Sequence, residues 1–174
     1  MKKMLFVLSL FLVANCFAQK NRLVPKTDTP TTSVYYLIRH AEKDRSDTTN
    51  KNPDLTEQGN KRAANWASIF EKVPFDAVYS TDYNRTKQTA QPTAAAKELQ
   101  VQIYNPYKLK INQFLKETSG KTVLIVGHSN TTPDFVNRLI DREDYELIAD
   151  DNNGNLYIVT ITGETKTVQL LTVN

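Results

Sequence analysis

The chain has 174 residues, 40% of them apolar and 24% charged, a balance that suits one soluble globular domain. Its formal net charge of +3 includes Lys2 and Lys3; without them 20 basic side chains face 19 acidic ones, and no basic stripe points to nucleic acid. Cys16 is the only cysteine, so no disulfide or thiolate chemistry is available beyond it.

Residues 1–18 read as an export signal. Lys2 and Lys3 start it, an apolar run follows over 4–13, and Cys16-Phe17-Ala18 places small residues near a cleavage point after Ala18. The apolar run is too short for a lasting bilayer span. A rival reading makes Cys16 the lipidated residue of an anchored protein, although Asn15 is larger than such sites usually carry. Residues 19–33 form a polar tether with Pro25, Pro30 and a threonine cluster. The folded domain is expected over 34–174.

The first strand is expected over 33–38. Val34-Tyr35-Tyr36-Leu37-Ile38 is a buried run that delivers Arg39 and His40 to its C-terminal end. A charged loop follows over 41–54. Thr56 then caps a helix in which Ala63, Trp66, Ala67 and Phe70 share one face, and Pro74 ends it. A second strand is expected over 75–80. Thr81 or Asp82 should cap the next helix, which carries Arg85 in its first turn and meets a kink or break at Pro92.

A short third strand over 101–104 closes at Pro106. A helix over 108–117 turns Leu109, Phe114 and Leu115 inward, and Gly120 stops it. The fourth strand, over 122–126, leads through Gly127 to His128, the second of only two histidines. Thr131 or Thr132 should cap the following helix, with Pro133 at its first position. Residues 141–155 are acidic and polar. The last two strands, over 156–161 and 167–173, join through Thr162-Gly163-Glu164. Strands alternating with helices imply a three-layer α/β/α domain, its central sheet mostly parallel with an antiparallel edge strand.

Arg39, His40, Arg85 and His128 each follow a strand or open a helix. In open α/β sheets that rim is where ligands bind. Arginine offers a planar fork of donors that matches a phosphate. Helix N-termini near residues 81–82 and 131–133 would add N–H groups. An imidazole can attack phosphorus through a free lone pair, and neighbouring arginines keep it unprotonated. A second, protonated histidine could hold the transferring group.

Arg39-His40-Ala41-Glu42, Leu55-Thr56-x-x-Gly59, Tyr79-Ser80-x-x-x-x-Arg85-x-x-x-Thr89-Ala90 and Gly127-His128-Ser129 together resemble the histidine phosphatase superfamily, with its phosphoglycerate mutase-like fold, and the length resembles the short bacterial phosphohistidine phosphatases. The resemblance implies that His40 is transiently phosphorylated and that Arg39, Arg85 and His128 form the phosphate pocket, with Ser129 beside it. Leu55-Thr56-x-x-Gly59 would be structural. The implied substrate is a small phosphorylated molecule, with no cofactor and no metal. His40, His128 and Glu42 could supply three metal ligands, but two arginines would repel a dication.

The acid that protonates the leaving oxygen in many family members has no clear counterpart. Leu99 to Lys116 holds no carboxylate, and Ser129 stands where another branch carries aspartate. Glu42, Asp44, Asp82 and Asp134 remain as candidates, and without an acid the enzyme should favour activated leaving groups. A mutase needs an enclosing lid, for which only the 41–54 loop has the length. The alternative to an enzyme is a non-catalytic phosphate- or phosphoprotein-binding module. Oligomeric state is not encoded in any pattern of the sequence.

Overall fold

A computed structural model describes residues 30–173. The expected signal 1–18, Cys16 and the tether as far as residue 29 lie outside the described residues. Ten elements follow in order: β1 (Thr32–Arg39), α1 (Glu57–Ile69), β2 (Ala77–Ser80), α2 (Asn84–Ala96), β3 (Val101–Ile103), α3 (Ile111–Glu117), β4 (Thr122–Gly127), α4 (Thr131–Ile140), β5 (Asn155–Thr162) and β6 (Thr165–Thr172). Thr32 and Ser33 therefore belong to the sheet and not to the tether.

The six strands form one sheet in the order β3-β2-β4-β1-β5-β6. β3, β2, β4 and β1 run parallel, while β5 and β6 are antiparallel. β1 is central and loses both faces to helices, which explains its unbroken apolar run. Tyr35 and Leu37 pack with Phe114 of α3 and with Phe135 and Leu139 of α4. Tyr36 and Ile38 point the other way, towards Trp66 of α1, Phe70 at its C-terminal cap, and Ala90 and Ala94 of α2. The three layers expected from the sequence are these two helix pairs and the sheet between them. Among the described residues, no helix is long and apolar enough to cross a membrane.

Strand register sets the position of the site. Arg39 on β1 lies beside Gly127 on β4, and the His40 N–H donates to the Gly127 carbonyl at 2.9 Å. The two histidines thus leave neighbouring strands at the same level. β2 flanks β4 on its other side, with Ser80 opposite Val126. The α1 entry is locked to the same rim. Thr56 N–H donates to the Glu42 carbonyl at 2.9 Å, and Gly59 N–H donates to Thr56 Oγ1 at 3.0 Å. A Cβ on Gly59 would stand 2.2 Å from the Glu42 carbonyl oxygen, so only glycine fits there.

Three local expectations are corrected. α2 is capped at Tyr83, not at Thr81 or Asp82, and no side chain bonds the cap. The Thr81 hydroxyl is engaged by Thr86 and His128, and Asp82 pairs with Lys87. Pro92 does not break α2, which runs on to Ala96 because the buried Ala90 and Ala94 hold it against the sheet. α4 is capped at Asn130, which puts Pro133 third rather than first; the Thr131 hydroxyl accepts the His128 N–H at 3.0 Å.

Candidate active site

Arg39, His40, Arg85, His128 and Ser129 all line one cavity of about 660 Å³ at the C-terminal rim of β1, β4 and β2. The same cavity receives Lys43, Thr81, Asp82, Tyr83, Asn105, Asn130 and Asp150, among others.

His40 is 3% exposed. Its Nδ1 lies 2.7 Å from the Ala41 carbonyl, which can only accept, so Nδ1 carries the proton. Nε2 is left with its lone pair on the ring that lines the cavity. Burial pulls the imidazole down to about 3, and the charges of Arg39 and Arg85 act the same way. His40 is therefore neutral at physiological pH. Its backbone is pinned from two sides. Asn153 Nδ2 donates to the His40 carbonyl at 2.7 Å, and the next N–H, that of Ala41, donates to Thr89 Oγ1 at 2.9 Å. Thr89 in turn donates to the Arg85 carbonyl at 2.7 Å. The four-residue spacing between Arg85 and Thr89 is thus one helical turn that ties the cation to the histidine strand.

The His128 ring sits 5.4 Å from that of His40, centroid to centroid, at 67°. Arg85 donates to its Nδ1 at 3.4 Å, and its Nε2–H then donates to Thr81 Oγ1 at 2.9 Å. The Thr81 hydroxyl passes its proton's bond to Thr86 Oγ1 at 3.0 Å. Burial, then Arg85 and Arg39, draw His128 down to about 4. In the free protein His128 is therefore neutral. The arginines that attract an anion repel an imidazolium until that anion arrives.

The two arginines differ. Arg85 leaves Nε and one terminal nitrogen without partners in a buried position, and its guanidinium lies 4.4 Å from the Tyr83 ring centroid. Burial also lowers its proton affinity. A guanidinium with two unbonded donor nitrogens can receive an oxyanion. Arg39, 2% exposed, is already held. One terminal nitrogen donates to the carbonyls of Ala149, Asp150 and Asn152 at 2.8–3.0 Å, and the other to Asp150 Oδ1 at 2.7 Å; only Nε is free. Arg39 acts as a fixed charge more than as an open fork.

The candidate acids scatter. Glu42 turns away from the cavity to Arg62 of α1, at 2.8 Å. Asp44 is exposed and accepts the Ser46 N–H. Asp134 pairs loosely with Arg138 at 3.7 Å, outside the cavity. Asp82 alone among the four lines it, bonded to Lys87 at 2.8 Å. Topology separates them, since each follows its own loop or helix face. With Glu42 turned away, the three-ligand metal set is not assembled either; among the described residues no such group occurs.

Asp150 and Asn153 were missed. They sit in the polar segment before β5, which wraps over Arg39 because β5 pairs with β1. Asp150 bridges Arg39 and Arg45, and those bonds, Arg45 first, hold its carboxyl down at about 2. The one hint in the sequence was the density of carboxylates and amides over residues 150–153. The 41–54 loop is not a free lid: Lys43 bridges Leu55, and Leu55 N–H donates to Gln88 of α2 at 2.8 Å.

Residues 35–106 match the model of the histidine phosphatase superfamily (branch 1). Over that span the chain is similar to the histidine phosphatase superfamily. The matched span holds Arg39, His40 and Arg85; His128 joins them through the fold. Solved structures share that fold. The alpha-ribazole phosphatase from Shigella flexneri has a TM-score of 0.64 at 16% identity, over 80% of this chain and 96% of that one. Phosphoglycerate mutase from Bacillus anthracis has a TM-score of 0.63 at 14% identity, over 82% and 94%. The protein histidine phosphatase SixA, complexed with tungstate, has 0.63 at 15%, over 80% and 96%. Among curated proteins none matches the chain in sequence.

Proposed function

We propose that this protein is a phosphohydrolase that works through a phosphohistidine on His40. The observation that carries this reading is the fixed tautomer of His40: Nδ1–H is tied to the Ala41 carbonyl, so Nε2 is the nucleophilic nitrogen. Nε2 attacks phosphorus, and the bond from phosphorus to the leaving group breaks with its electron pair going to the leaving group. Water then attacks the phosphohistidine, returning His40 and releasing phosphate. Arg85 and Arg39 balance the charge on the phosphoryl oxygens. A bound dianion favours protonation of His128, which then donates from Nδ1. A neighbour of the same fold is complexed with tungstate, a tetrahedral oxyanion, which supports an oxyanion site in this one.

The carboxylates in the cavity are Asp82, bonded to Lys87, and Asp150, held deprotonated by two arginines. Neither is placed as a ready proton donor. The reading is therefore a phosphatase for leaving groups that depart without a proton, such as phenols, phosphoramidates or anhydrides, rather than a mutase. Residues 1–18 support action outside the cytoplasm, where nutrient or envelope phosphates are substrates, with lipid anchoring through Cys16 as the variant of that location.

A labelled substrate, a rapid alkaline quench and mapping of the label test it. Label on His40, absent in His40→Ala, is expected, with an aryl phosphate turned over faster than an alkyl phosphate. No label and no turnover in the intact protein would favour the phosphate-binding module. Turnover by His40→Ala at the wild-type rate would identify a different nucleophile.

A further inference from the structure

The cavity has a second, uncharged side that phosphate binding leaves unused. We infer that the turn over residues 103–107, together with Tyr83, is a subsite for an uncharged aromatic leaving group of a phosphate monoester. This rests on the phosphatase reading and adds the class of substrate to it.

The turn is held beside the phosphate end. Tyr104 N–H donates to the Ser80 carbonyl at 3.0 Å, which places the chain after β3 next to the exit of β2. Asn105 Oδ1 accepts the Tyr107 N–H at 3.0 Å, and Arg138 of α4 donates to the Pro106 carbonyl at 3.2 Å. The wall is thus set before any ligand arrives. Tyr104 packs in the core, but the rest of the turn's apolar surface has no packing role: Tyr107 is 82% exposed and Ile103 51% exposed, and neither belongs to a core cluster. Tyr83 continues the wall to the chemistry, with its ring edge-on to His128 at 4.9 Å and 89°.

Charge separates the two sides. The charged groups of the lining are Arg39, Lys43, Asp82, Arg85 and Asp150, beside the two histidines, while Ile103, Tyr104, Asn105, Pro106 and Tyr107 carry no charge. A second phosphate or a carboxylate on the leaving group would find no cation in that turn. A flat ring would find aromatic edges and an aliphatic face. A volume of about 660 Å³ holds a phosphoryl group with such a ring attached.

Calorimetric titration of the full chain with phenylphosphonate, methylphosphonate and inorganic phosphate tests the subsite without turnover. The wild type should bind phenylphosphonate about tenfold more tightly than methylphosphonate, and Tyr107→Ala should shrink that preference about three- to tenfold. Tyr107→Phe should retain it, and Ile103→Ser should reduce it. Equal affinities in the wild type, or a preference untouched by both Tyr107→Ala and Ile103→Ser, overturns the inference. A phenyl preference without label on His40 would keep the subsite and remove the phosphatase reading. Label on His40 without the preference would do the opposite.

Discussion

Lowering the pH from about 7 to about 5 should weaken the fold through two side chains, His40 and His128. Folded, they titrate at about 3 and about 4; their ordinary value is 6.5. The unfolded chain therefore takes up these protons first. The stability is whole above about pH 6.5 and declines as the pH falls, with the loss complete for His128 below about 4 and for His40 below about 3. Each pH unit weighs about 1.4 kcal/mol per group, so at pH 5 the pair sets a ceiling of about 4 kcal/mol. Solvent at the cavity mouth screens part of this, and about 2 kcal/mol is the expected loss. That is a large share of the roughly 5–15 kcal/mol typical of a domain. Urea unfolding followed by Trp66 fluorescence reads it directly. Trp66 is the only tryptophan, 1% exposed and stacked on Phe70 at 5.4 Å. A change below about 0.5 kcal/mol between the two pH values would refute the reasoning. So would an equal loss in the His40→Asn, His128→Asn double variant.

Asp150→Asn keeps an oxygen for Arg39 but removes a negative charge from the cavity proposed to take the phosphoryl group. Inorganic phosphate should then inhibit several-fold more tightly, measured as the inhibition constant against an aryl phosphate. Gly59→Ala drives a Cβ to 2.2 Å from the Glu42 carbonyl oxygen, and a loss of about 1–3 kcal/mol in urea unfolding is expected. Thr89→Val leaves the buried Ala41 N–H without its acceptor, at a cost of about 1–3 kcal/mol. Because that N–H is the neighbour of His40, kcat should fall while inorganic phosphate still binds. An unchanged melting temperature in either variant would show that the contact carries no strain or bond worth counting.

Much of the site was legible before the fold. Period and propensity placed β1 and β4 within one residue at most ends, because both are buried on two faces and read as unbroken apolar runs. A histidine at the exit of each run, with an arginine before one and another in a following helix, was enough to name four side chains that line one cavity. The structural motif at Thr56 and Gly59 was equally readable, since a cap hydroxyl and a missing Cβ are local features. What failed were positions decided by competition between partners. Thr81 is a good cap by type, yet His128 and Thr86 take its hydroxyl. Glu42 follows His40 by two residues, yet Arg62 draws it to the other side of the loop.

The amino-acid sequence by itself determined which residues stand at the strand ends, and with them the chemistry on offer, because a strand's burial and its exit are written in a few consecutive side chains. Tertiary structure alone decided which groups face one another. The register of β1 on β4 sets the two imidazoles side by side. The antiparallel return of β5 lays Asp150 on Arg39. These are contacts between residues more than forty positions apart, and no local pattern encodes a distance across the sheet.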